Sequence, residues 1–307
     1  MSKVRVSGFT LVRNGVKFDY PFEESIRSLL PLVDELVINV GIGDDDTLAR
    51  VRALAASPES AGKIAIFESR WPLDDPEQKR GGRILSDQTN LALDRCTGDW
   101  CVYLQADEVL HEGDRERLRA AMRAADARPE IEALVFEYVH FYGSFDVVQR
   151  TRSAYRREVR AFKRSSGARS VGDAQSFRKT DGSKLTAALA GARVFHYGWV
   201  RPPEKMREKT FFMDQLYHGA PDPSKAAQGI PHTGDNYRYK RIWGLSPFRG
   251  THPAIMRERI AAKNWHWDLA RSPLEWSARD AKKIALDLFE RATGVRLFEY
   301  RSYRLRG

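Results

Sequence analysis

The sequence predicts an α/β protein with a mostly parallel, doubly wound sheet flanked by helices. Short apolar runs alternate with amphipathic helical segments through the first third of the chain. The run Trp100–Leu104 is continuously apolar without helical spacing, which is typical of a central parallel strand covered on both faces. A regular alternation of strands and helices favours parallel pairing through right-handed crossovers.

The elements of the first half can be predicted in order from these patterns. Pro21 suits the first turn of the first helix, and Glu23 and Glu24 suit the positive end of its dipole. A glycine-rich, acidic loop follows the second strand. The predicted order is a strand at Val4–Val12, a helix from Pro21 to Val33, a strand at Leu36–Val40, a helix at Leu48–Leu54, a strand at Ile64–Phe67, a helix at Ile84–Leu93 and the strand at Trp100–Leu104. This order indicates a nucleotide-binding α/β domain.

The second half is less regular. A charged helix with Leu118 and Met122 on one face ends before Pro129, and a later helix ends at Gly294. Pro202 and Pro203 interrupt the pattern, so we predict a domain over residues 1–200 and a basic, aromatic-rich, mainly helical extension over 201–307. Further strands are predicted at Leu134–Tyr142, Val159–Lys163 and Arg193–Val200.

Composition indicates a folded, soluble protein. Apolar residues make up 42% of the 307 residues and aromatic residues 11%, which is enough for a core. The two cysteines, Cys96 and Cys101, lack zinc spacing and cannot form a disulfide framework, so a reducing compartment is expected. No signal peptide or membrane span is evident. We therefore expect a cytoplasmic location.

The net charge of +10 is concentrated in the C-terminal third. Residues 1–200 carry 30 basic and 29 acidic side chains, whereas residues 201–307 carry 21 and 12. Such an excess suits nucleic acid, an anionic membrane surface or an acidic substrate, and equally an arginine-rich solvated surface. Tryptophans and a basic tail of Arg301, Arg304 and Arg306 lie in this part, for which we predict peripheral membrane contact.

Asp107 is the first candidate functional residue, because it follows the buried strand at Trp100–Leu104. Ligands of open α/β sheets bind at the carboxyl ends of the strands, where a divalent cation takes carboxylate and phosphate oxygens. The alternative is an acidic helix start, where Asp107 and Glu108 favour the helix dipole and have no further role. The local sequence fits both interpretations.

Several motifs in order resemble family 2 glycosyltransferases, which have the GT-A fold. Ser28-Leu29-Leu30, Asp45-Asp46-Thr47, Thr97-Gly98-Asp99-Trp100 and Leu104-Gln105-Ala106-Asp107-Glu108 are similar to the family's Ser-Leu-Leu, Asp-Gly-Thr, Thr-Gly-Asp-Tyr and Leu-Asp-Ala-Asp-Asp. The likeness covers roughly residues 4–210. It implies a nucleotide-diphospho-sugar donor, a glycan or lipid-linked acceptor and a role in cell-surface polysaccharide or glycoconjugate synthesis. The donor site that it implies comprises Val12, Arg13, Asn14, Gly41, Asp45, Arg83, Gln105, Ala106 and Asp107.

The resemblance also implies a divalent metal. Asp107 matches the family's principal metal contact, and His196 is a second candidate ligand that suits Mn²⁺ better than Mg²⁺. Two positions depart from the family: Gln105 replaces the first Asp of Asp-x-Asp, and Val40-Gly41 replaces an Asp-Asp that contacts the nucleobase. Without the resemblance, His196 reads as a packed strand histidine.

Three further residues have competing interpretations. Asp173 matches the carboxylate of the Val-His-Glu motif in a subgroup of these sugar transferases, which implies that it is a general base and that the anomeric carbon is inverted. Asp173 equally suits a turn, because aspartate often caps its own turn. Arg83 follows Gly81-Gly82 at a helix start, where it either faces phosphate or is an exposed arginine. Asp45 either contacts the nucleoside or caps the following helix.

Three other functions remain open. A nucleic-acid-binding protein explains the basic C-terminal third but not Asp107 or the acidic loop, so no nucleic acid is expected as a partner. A nucleotidyltransferase shares the sheet and the metal but releases pyrophosphate. Gln105 also fits a degenerate site that is retained only for binding.

Overall fold

The computed structural model describes residues 4–152, 154–218 and 237–306. The helices in these ranges are α1 (Phe22–Leu29), α2 (Thr47–Ala56), α3 (Pro76–Lys79), α4 (Arg83–Leu93), α5 (Arg115–Asp126), α6 (Pro203–His218), α7 (Arg257–Ala261) and α8 (Ala278–Thr293). The strands are β1 (Val6–Val12), β2 (Glu35–Gly41), β3 (Ile64–Ser69), β4 (Trp100–Tyr103), β5 (Glu108–Leu110), β6 (Ala133–Tyr142), β7 (Ser144–Gln149), β8 (Arg157–Lys163), β9 (Ala168–Val171), β10 (Ser176–Lys179), β11 (Thr186–Trp199), β12 (Leu245–Pro247) and β13 (Arg304–Leu305).

The predicted α/β class with a mainly parallel central sheet is confirmed. Strands β4, β1, β2 and β3 lie side by side and pair in parallel, as the strand–helix alternation predicts. Strand β8 then pairs antiparallel with β4 and with β6, and β6 pairs in parallel with β11. The carboxyl ends of β1, β2 and β4 therefore meet at one edge of the sheet.

Helices cover both faces of this sheet because the central strands are apolar on both sides. On one face, α1 and α5 contribute Phe22, Ile26, Leu118 and Met122 to the larger core. On the other face, α4 packs with the hairpin of β9 and β10, and Phe177 of β10 is fully buried there. The strand β4 between these layers is buried at every residue, which explains its uninterrupted apolar sequence.

Some element boundaries differ from the sequence-based ones. Helix α1 ends at Leu29, not at Val33, because Pro31 cannot continue the backbone hydrogen bonding of a helix. The strand predicted at Arg193–Val200 is the second half of β11, which begins at Thr186. The first half of β11 was missed because Ala and Gly residues dominate it and carry little strand signal.

The expected mainly helical character of the C-terminal extension is not confirmed. Helices α6, α7 and α8 are separated by irregular segments, and two short strands return to the main sheet. Strand β12 pairs antiparallel with β7, and β13 pairs in parallel with β11. The side chain of Ser302 in the basic tail is buried and donates to Glu158 at 2.7 Å. The domain boundary at residue 200 stays a prediction.

No helix in the described ranges is both long enough and apolar enough to cross a bilayer. Cys96 and Cys101 are buried free thiols.

Candidate active site

A cavity of about 510 Å³ opens at the carboxyl ends of β1 and β4. One end is lined by aromatic and aliphatic side chains, including Trp71, Leu85 and Phe212. The other end is lined by Asp107, His196 and Lys209. The cavity thus has an apolar region and a charged region within one enclosure.

Asp107 lies in the turn after β4 and is almost completely buried. Its backbone oxygen accepts from the amide of Tyr197 at 2.8 Å, because β5 pairs antiparallel with β11 immediately beyond it. The carboxylate has Lys209 Nζ at 3.4 Å from Oδ2 and His196 Nε2 at 3.7 Å from Oδ1. Burial alone raises the pKa of Asp107, but its positively charged surroundings, Lys209 first, and the hydrogen bond from Lys209 outweigh burial and lower it. The carboxylate is therefore ionised at neutral pH.

Lys209 and Arg201 supply positive charge beside this carboxylate. Lys209 Nζ donates to the backbone oxygen of Gly198 at 2.7 Å and lies 5.3 Å from the ring centre of Tyr20. Burial, followed by the charge of Arg201, lowers the pKa of Lys209 to about 7, although Asp107 opposes this shift. Arg201 is fully buried and donates to the backbone oxygens of Phe18 and Gly198. The charged end of the cavity is thus lined by Lys209 and Asp107, and Arg201 adds positive charge from the core nearby.

Gly198 keeps the space between Asp107 and His196 open. A Cβ on this residue would lie 2.5 Å from His196 Nε2 and 3.0 Å from Asp107 Oδ2. Any side chain larger than hydrogen would therefore fill the gap that these two groups share.

Glu108 faces away from the cavity, into the core. It forms a completely buried ion pair with Arg160 of β8, and it also accepts from the amide of Gln105 at 3.0 Å and from Tyr138 Oη at 2.7 Å. Burial by itself lowers the pKa of Arg160, but the charge and hydrogen bonds of Glu108, together with Tyr138 and Tyr155, outweigh burial and raise this pKa. This network holds the turn that carries Asp107.

Asp173 lines the same cavity, in the turn between β9 and β10. Its Oδ2 accepts from Tyr217 Oη of α6 at 2.9 Å, and its Oδ1 accepts from the amide of Gln175 at 3.2 Å. Asp173 also lies close to the start of α4: a Cβ built on Gly82 would be 3.2 Å from the Cβ of Asp173. Asp173 therefore lies in a turn and also lines the cavity, so the structure is compatible with both interpretations of this residue.

The residues predicted for the donor site divide into two groups. Val12, Arg13, Gln105 and Ala106 line the cavity with Asp107. The guanidinium of Arg13 lies over the rings of Trp71 at 5.8 Å and Phe212 at 5.4 Å. The side-chain amide of Gln105 donates from Nε2 to the backbone oxygen of Ala174 at 3.3 Å.

The other four do not line the cavity. Asn14 Oδ1 accepts from the amide of Asp44 at 3.1 Å and joins two loops. Asp45 accepts from the amides of Lys17 and Thr47 at 2.7 and 3.0 Å, and so holds the start of α2. Arg83 is largely exposed and pairs with Asp87 at 3.6 Å. Gly41 lies against Trp71, which lines the cavity: a Cβ on this glycine would be 2.5 Å from Trp71 Nε1.

A second cavity, of about 770 Å³, adjoins the first, and Tyr155 lines both. Six arginines line it against three carboxylates, and the indole of Trp243 lies 5.5 Å from the guanidinium of Arg291. The lining arginines are Arg150, Arg156, Arg157, Arg241, Arg291 and Arg296, and the carboxylates are Glu137, Asp287 and Glu290.

Sequence analysis missed several residues of the site. His140 lies in β6 and contacts His196, and the available signal was a histidine in a largely apolar strand, which also contains the charged Glu137. Arg201 directly precedes the two prolines at the predicted boundary and gave no signal of burial. Tyr155 and Tyr217 are ordinary tyrosines in sequence, and only the tertiary structure brings them to the cavity.

The side chains near Asp107 include one carboxylate and one imidazole that a divalent cation could use as ligands. No group of three or more His, Cys, Asp or Glu side chains with the geometry of a metal site occurs in the described ranges. Asp107 and His196 nevertheless offer one oxygen and one nitrogen across a gap that a Cβ would fill. Mg²⁺ and related ions are commonly held by one or two protein ligands, with substrate phosphates and water completing the shell. The pair fits a cation of this kind.

No family model matches the chain, and no curated protein matches it. Three solved structures resemble it. Residues 1–349 of TarS from S. aureus are 12% identical to it, with a TM-score of 0.35. Glucosyl-3-phosphoglycerate synthase from Mycobacterium tuberculosis, in complex with Mn²⁺, UDP and glucosyl-3-phosphoglycerate, is 18% identical, with a TM-score of 0.30. The mannosyltransferase PcManGT from Pyrobaculum calidifontis, in complex with GDP-Man and Mn²⁺, is 20% identical, with a TM-score of 0.32.

The matches cover 69%, 46% and 54% of this chain and 65%, 46% and 46% of the respective chains. With TM-scores below 0.5, these likenesses carry no argument about the activity of the chain.

Proposed function

We propose that this chain is a glycosyltransferase that moves a sugar from a nucleotide-diphospho-sugar to a hydroxyl acceptor. The observation that carries the proposal is the cavity at the carboxyl ends of β1 and β4, in which an apolar, aromatic region leads to Asp107, His196 and Lys209. A nucleotide-diphospho-sugar has the same division, with an aromatic base at one end and a diphosphate beyond it. The cavity volume falls within the range of roughly 300–1,000 Å³ that is typical of ligand sites.

The aromatic end supports binding of a nucleobase. Trp71 and Phe212 are large, flat side chains on which a base can stack, and Arg13 lies against both. The cationic end supports binding of the diphosphate. Lys209 lines the cavity and only 13% of its side chain is exposed, so its attraction to phosphate is less screened by water than that of a surface lysine. The fully buried Arg201 adds positive charge nearby.

Asp107 and His196 are the residues that would hold a divalent cation, Mn²⁺ or Mg²⁺. When bound, such an ion supplies Lewis-acid neutralisation of the diphosphate that leaves the anomeric carbon. Lys209 contributes a second positive charge on the opposite oxygen of Asp107. The Asp107 carboxylate thus brings the cation and the Lys209 ammonium together at the charged end of the cavity.

The acceptor hydroxyl must lose its proton as the new glycosidic bond forms, and we assign this step to Asp173. Its carboxylate lines the cavity, and Tyr217 Oη and the amide of Gln175 hold its two oxygens in place. A base on the acceptor side, with no covalent intermediate on the protein, gives inversion at the anomeric carbon.

We place the acceptor in the second cavity, since Tyr155 lines both this cavity and the donor cavity. The excess of arginines there suits a glycan or lipid-linked acceptor that carries carboxylate or phosphate groups. If this is correct, Arg241→Gln lowers the ratio of transfer to donor hydrolysis with acidic sugar acceptors, and leaves donor hydrolysis unchanged. An equal ratio in both proteins would place the acceptor elsewhere.

Peripheral membrane contact through the C-terminal part also belongs to the proposal. Phe298 and Tyr300 are strongly exposed there, and Leu288 and Phe289 are exposed on α8. Exposed apolar residues beside basic ones suit the interface of an anionic bilayer. Flotation with vesicles of phosphatidylcholine and phosphatidylglycerol tests this contact, and equal recovery of wild type and Phe298→Ser would count against it. The cytoplasmic location and the role in cell-surface polysaccharide synthesis stay predictions.

The main experiment incubates the purified chain with Mn²⁺ and a panel of UDP-, GDP- and dTDP-sugars. We expect release of a nucleoside diphosphate from one class of donor, measured by ion-exchange chromatography. Release of pyrophosphate from a nucleoside triphosphate and a sugar phosphate would instead indicate a nucleotidyltransferase. Salt-sensitive binding to generic DNA or RNA, with no turnover of any donor, would indicate a nucleic-acid-binding protein.

Asp107→Asn is the decisive variant for the proposed site. It removes a negative charge between two cations while preserving shape, so we expect kcat/KM to fall at least 10²-fold. Asp74→Asn, at an exposed position outside the cavity, is the matched control and should retain wild-type activity. Undiminished turnover in Asp107→Asn would remove Asp107 from the mechanism.

A further inference from the structure

Two histidines meet at the charged end of the cavity. His140 of β6 and His196 of β11 are direct neighbours in the parallel pairing of these strands. Their Nδ1 atoms are 2.9 Å apart, and the two rings are nearly perpendicular. A contact of this length between two imidazole nitrogens requires one proton, so one nitrogen donates and the other accepts.

The backbone oxygen of Tyr155 decides which histidine donates. His140 Nε2 lies 2.7 Å from this oxygen, which can only accept, so Nε2 of His140 carries a proton. A neutral imidazole has only one N–H, and therefore Nδ1 of His140 is the acceptor. His196 must then donate from its own Nδ1. In a neutral His196 this leaves Nε2 without a proton and with its lone pair available.

The geometry also argues against a protonated His140. Its Nδ1 would then donate to His196, and His196 would have to carry its own proton on Nε2, which lies 3.7 Å from Asp107 Oδ1 and makes no hydrogen bond to it. His140 is also buried, and burial disfavours a charged ring.

The lone pair of His196 faces Asp107 without a hydrogen bond to it. Their separation of 3.7 Å is too long for a hydrogen bond, in agreement with an unprotonated Nε2. Gly198 leaves the gap between them open to the cavity. Two electron-pair donors, one nitrogen and one carboxylate oxygen, thus face the same space.

We propose that His140 is a positioning residue: it holds His196 in the tautomer whose unprotonated Nε2, together with Asp107, offers a nitrogen–oxygen pair to a divalent cation. Only the use of this pair in sugar transfer rests on the proposed function. The tautomer itself follows from the Tyr155–His140–His196 hydrogen bonds. Outer hydrogen bonds of this kind orient metal-ligating histidines and contribute about 10–100-fold to metal affinity.

The first test observes the tautomer directly in the metal-free protein at pH 7.5. Long-range ¹H–¹⁵N NMR of the chain labelled at histidine distinguishes protonated from unprotonated ring nitrogens. We expect His196 to show a protonated Nδ1 and an unprotonated Nε2, with resonances assigned by loss of the signal in His196→Gln. His196 protonated at Nε2 in the wild type would overturn the proposal.

Two variants separate positioning from a merely structural role. His140→Asn keeps an amide oxygen near the position of Nδ1, so His196 should keep its tautomer. His140→Leu removes the acceptor, and we expect His196 to acquire a substantial population protonated at Nε2. An unchanged tautomer in His140→Leu would overturn the proposal, and if this variant fails to fold, the wild-type spectrum and His140→Asn still test it.

The second test measures Mn²⁺ binding by EPR without any nucleotide-sugar. We expect His140→Leu to weaken binding about 10–100-fold, and His140→Asn to bind within about threefold of wild type. His266→Asn, at an exposed position, is the matched histidine control. Equal Mn²⁺ affinity in all variants would overturn the role of His140. Neither measurement needs sugar transfer, so a failure of the proposed function and a failure of this inference give different results.

Discussion

Glu108 and Arg160 form a two-point ion pair that has no access to solvent: Arg160 Nε and Nη2 donate to the two carboxylate oxygens at 2.9 and 2.8 Å. Glu108 also accepts from the amide of Gln105, and Arg160 donates to the backbone oxygen of Gln175 at 2.8 Å. The pair therefore joins the turn that carries Asp107 to the turn that carries Asp173.

Because the Glu108–Arg160 pair is fully buried, we expect removal of one partner to lower the free energy of unfolding strongly. Arg160→Met leaves the Glu108 carboxylate buried without its cation, so the free energy of unfolding should fall by about 3–5 kcal/mol, measured by urea denaturation. The double variant Glu108→Leu/Arg160→Met removes both charges and should lose less than the single one. A double variant no more stable than Arg160→Met would show that burial of an unpaired charge is not the cause.

Asp173→Asn tests the proposed base. Because the amide cannot accept the acceptor proton, kcat should fall by about 10²–10⁴-fold while the dissociation constant of the donor, measured by calorimetry, stays within about threefold. Asp181→Asn, in an exposed turn, should behave as wild type. A loss confined to donor affinity would make Asp173 a binding residue.

Gly198→Ala tests the gap between Asp107 and His196. The added Cβ would lie 2.5 Å from His196 Nε2, so the imidazole has to move away from the carboxylate. We expect Mn²⁺ affinity, measured by EPR, to fall about tenfold or more, with a retained fold by circular dichroism. Gly113→Ala, whose Cβ would lie 3.2 Å from His111, is the control for loss of a glycine. Unchanged Mn²⁺ affinity in Gly198→Ala would exclude the gap as the metal site.

The buried His140 predicts a pH dependence of stability in the metal-free protein. Its pKa is about 3 in the folded chain against an ordinary value of 6.5, so between these values the unfolded chain binds a proton that the folded chain does not. The free energy of unfolding should therefore decrease as the pH falls below 6.5, by about 2 kcal/mol at pH 5 from this residue.

Urea denaturation at pH 7 and pH 5 measures this dependence. His140→Asn should lose correspondingly less stability between the two pH values, whereas His266→Asn should keep the wild-type dependence. Identical losses in wild type and His140→Asn would show that His140 titrates normally in the folded chain.

The sequence alone determined the layered fold of the first half and the position of Asp107. Both depend on local patterns: the apolar run Trp100–Tyr103 has to be covered on both faces, so the residues directly after it lie at the carboxyl edge of the sheet. Asp45 and Arg83 show the limit of local patterns. A loop carboxylate and a helix-start arginine look alike in sequence whether or not they line the cavity, and only the structure shows that Asp45 holds the start of α2 and that Arg83 pairs with Asp87.

Only the tertiary structure decided which groups share the site with Asp107. His196 and Lys209 are about 90 and 100 residues away along the chain, and they meet Asp107 because β5 pairs with β11 and because α6 packs over the cavity. Arg201 and His140 become functional candidates through burial, which depends on what the rest of the chain places around them. Hydrogen bonds and charge interactions act over a few ångströms in space and are independent of separation in sequence, so local patterns could not have revealed them.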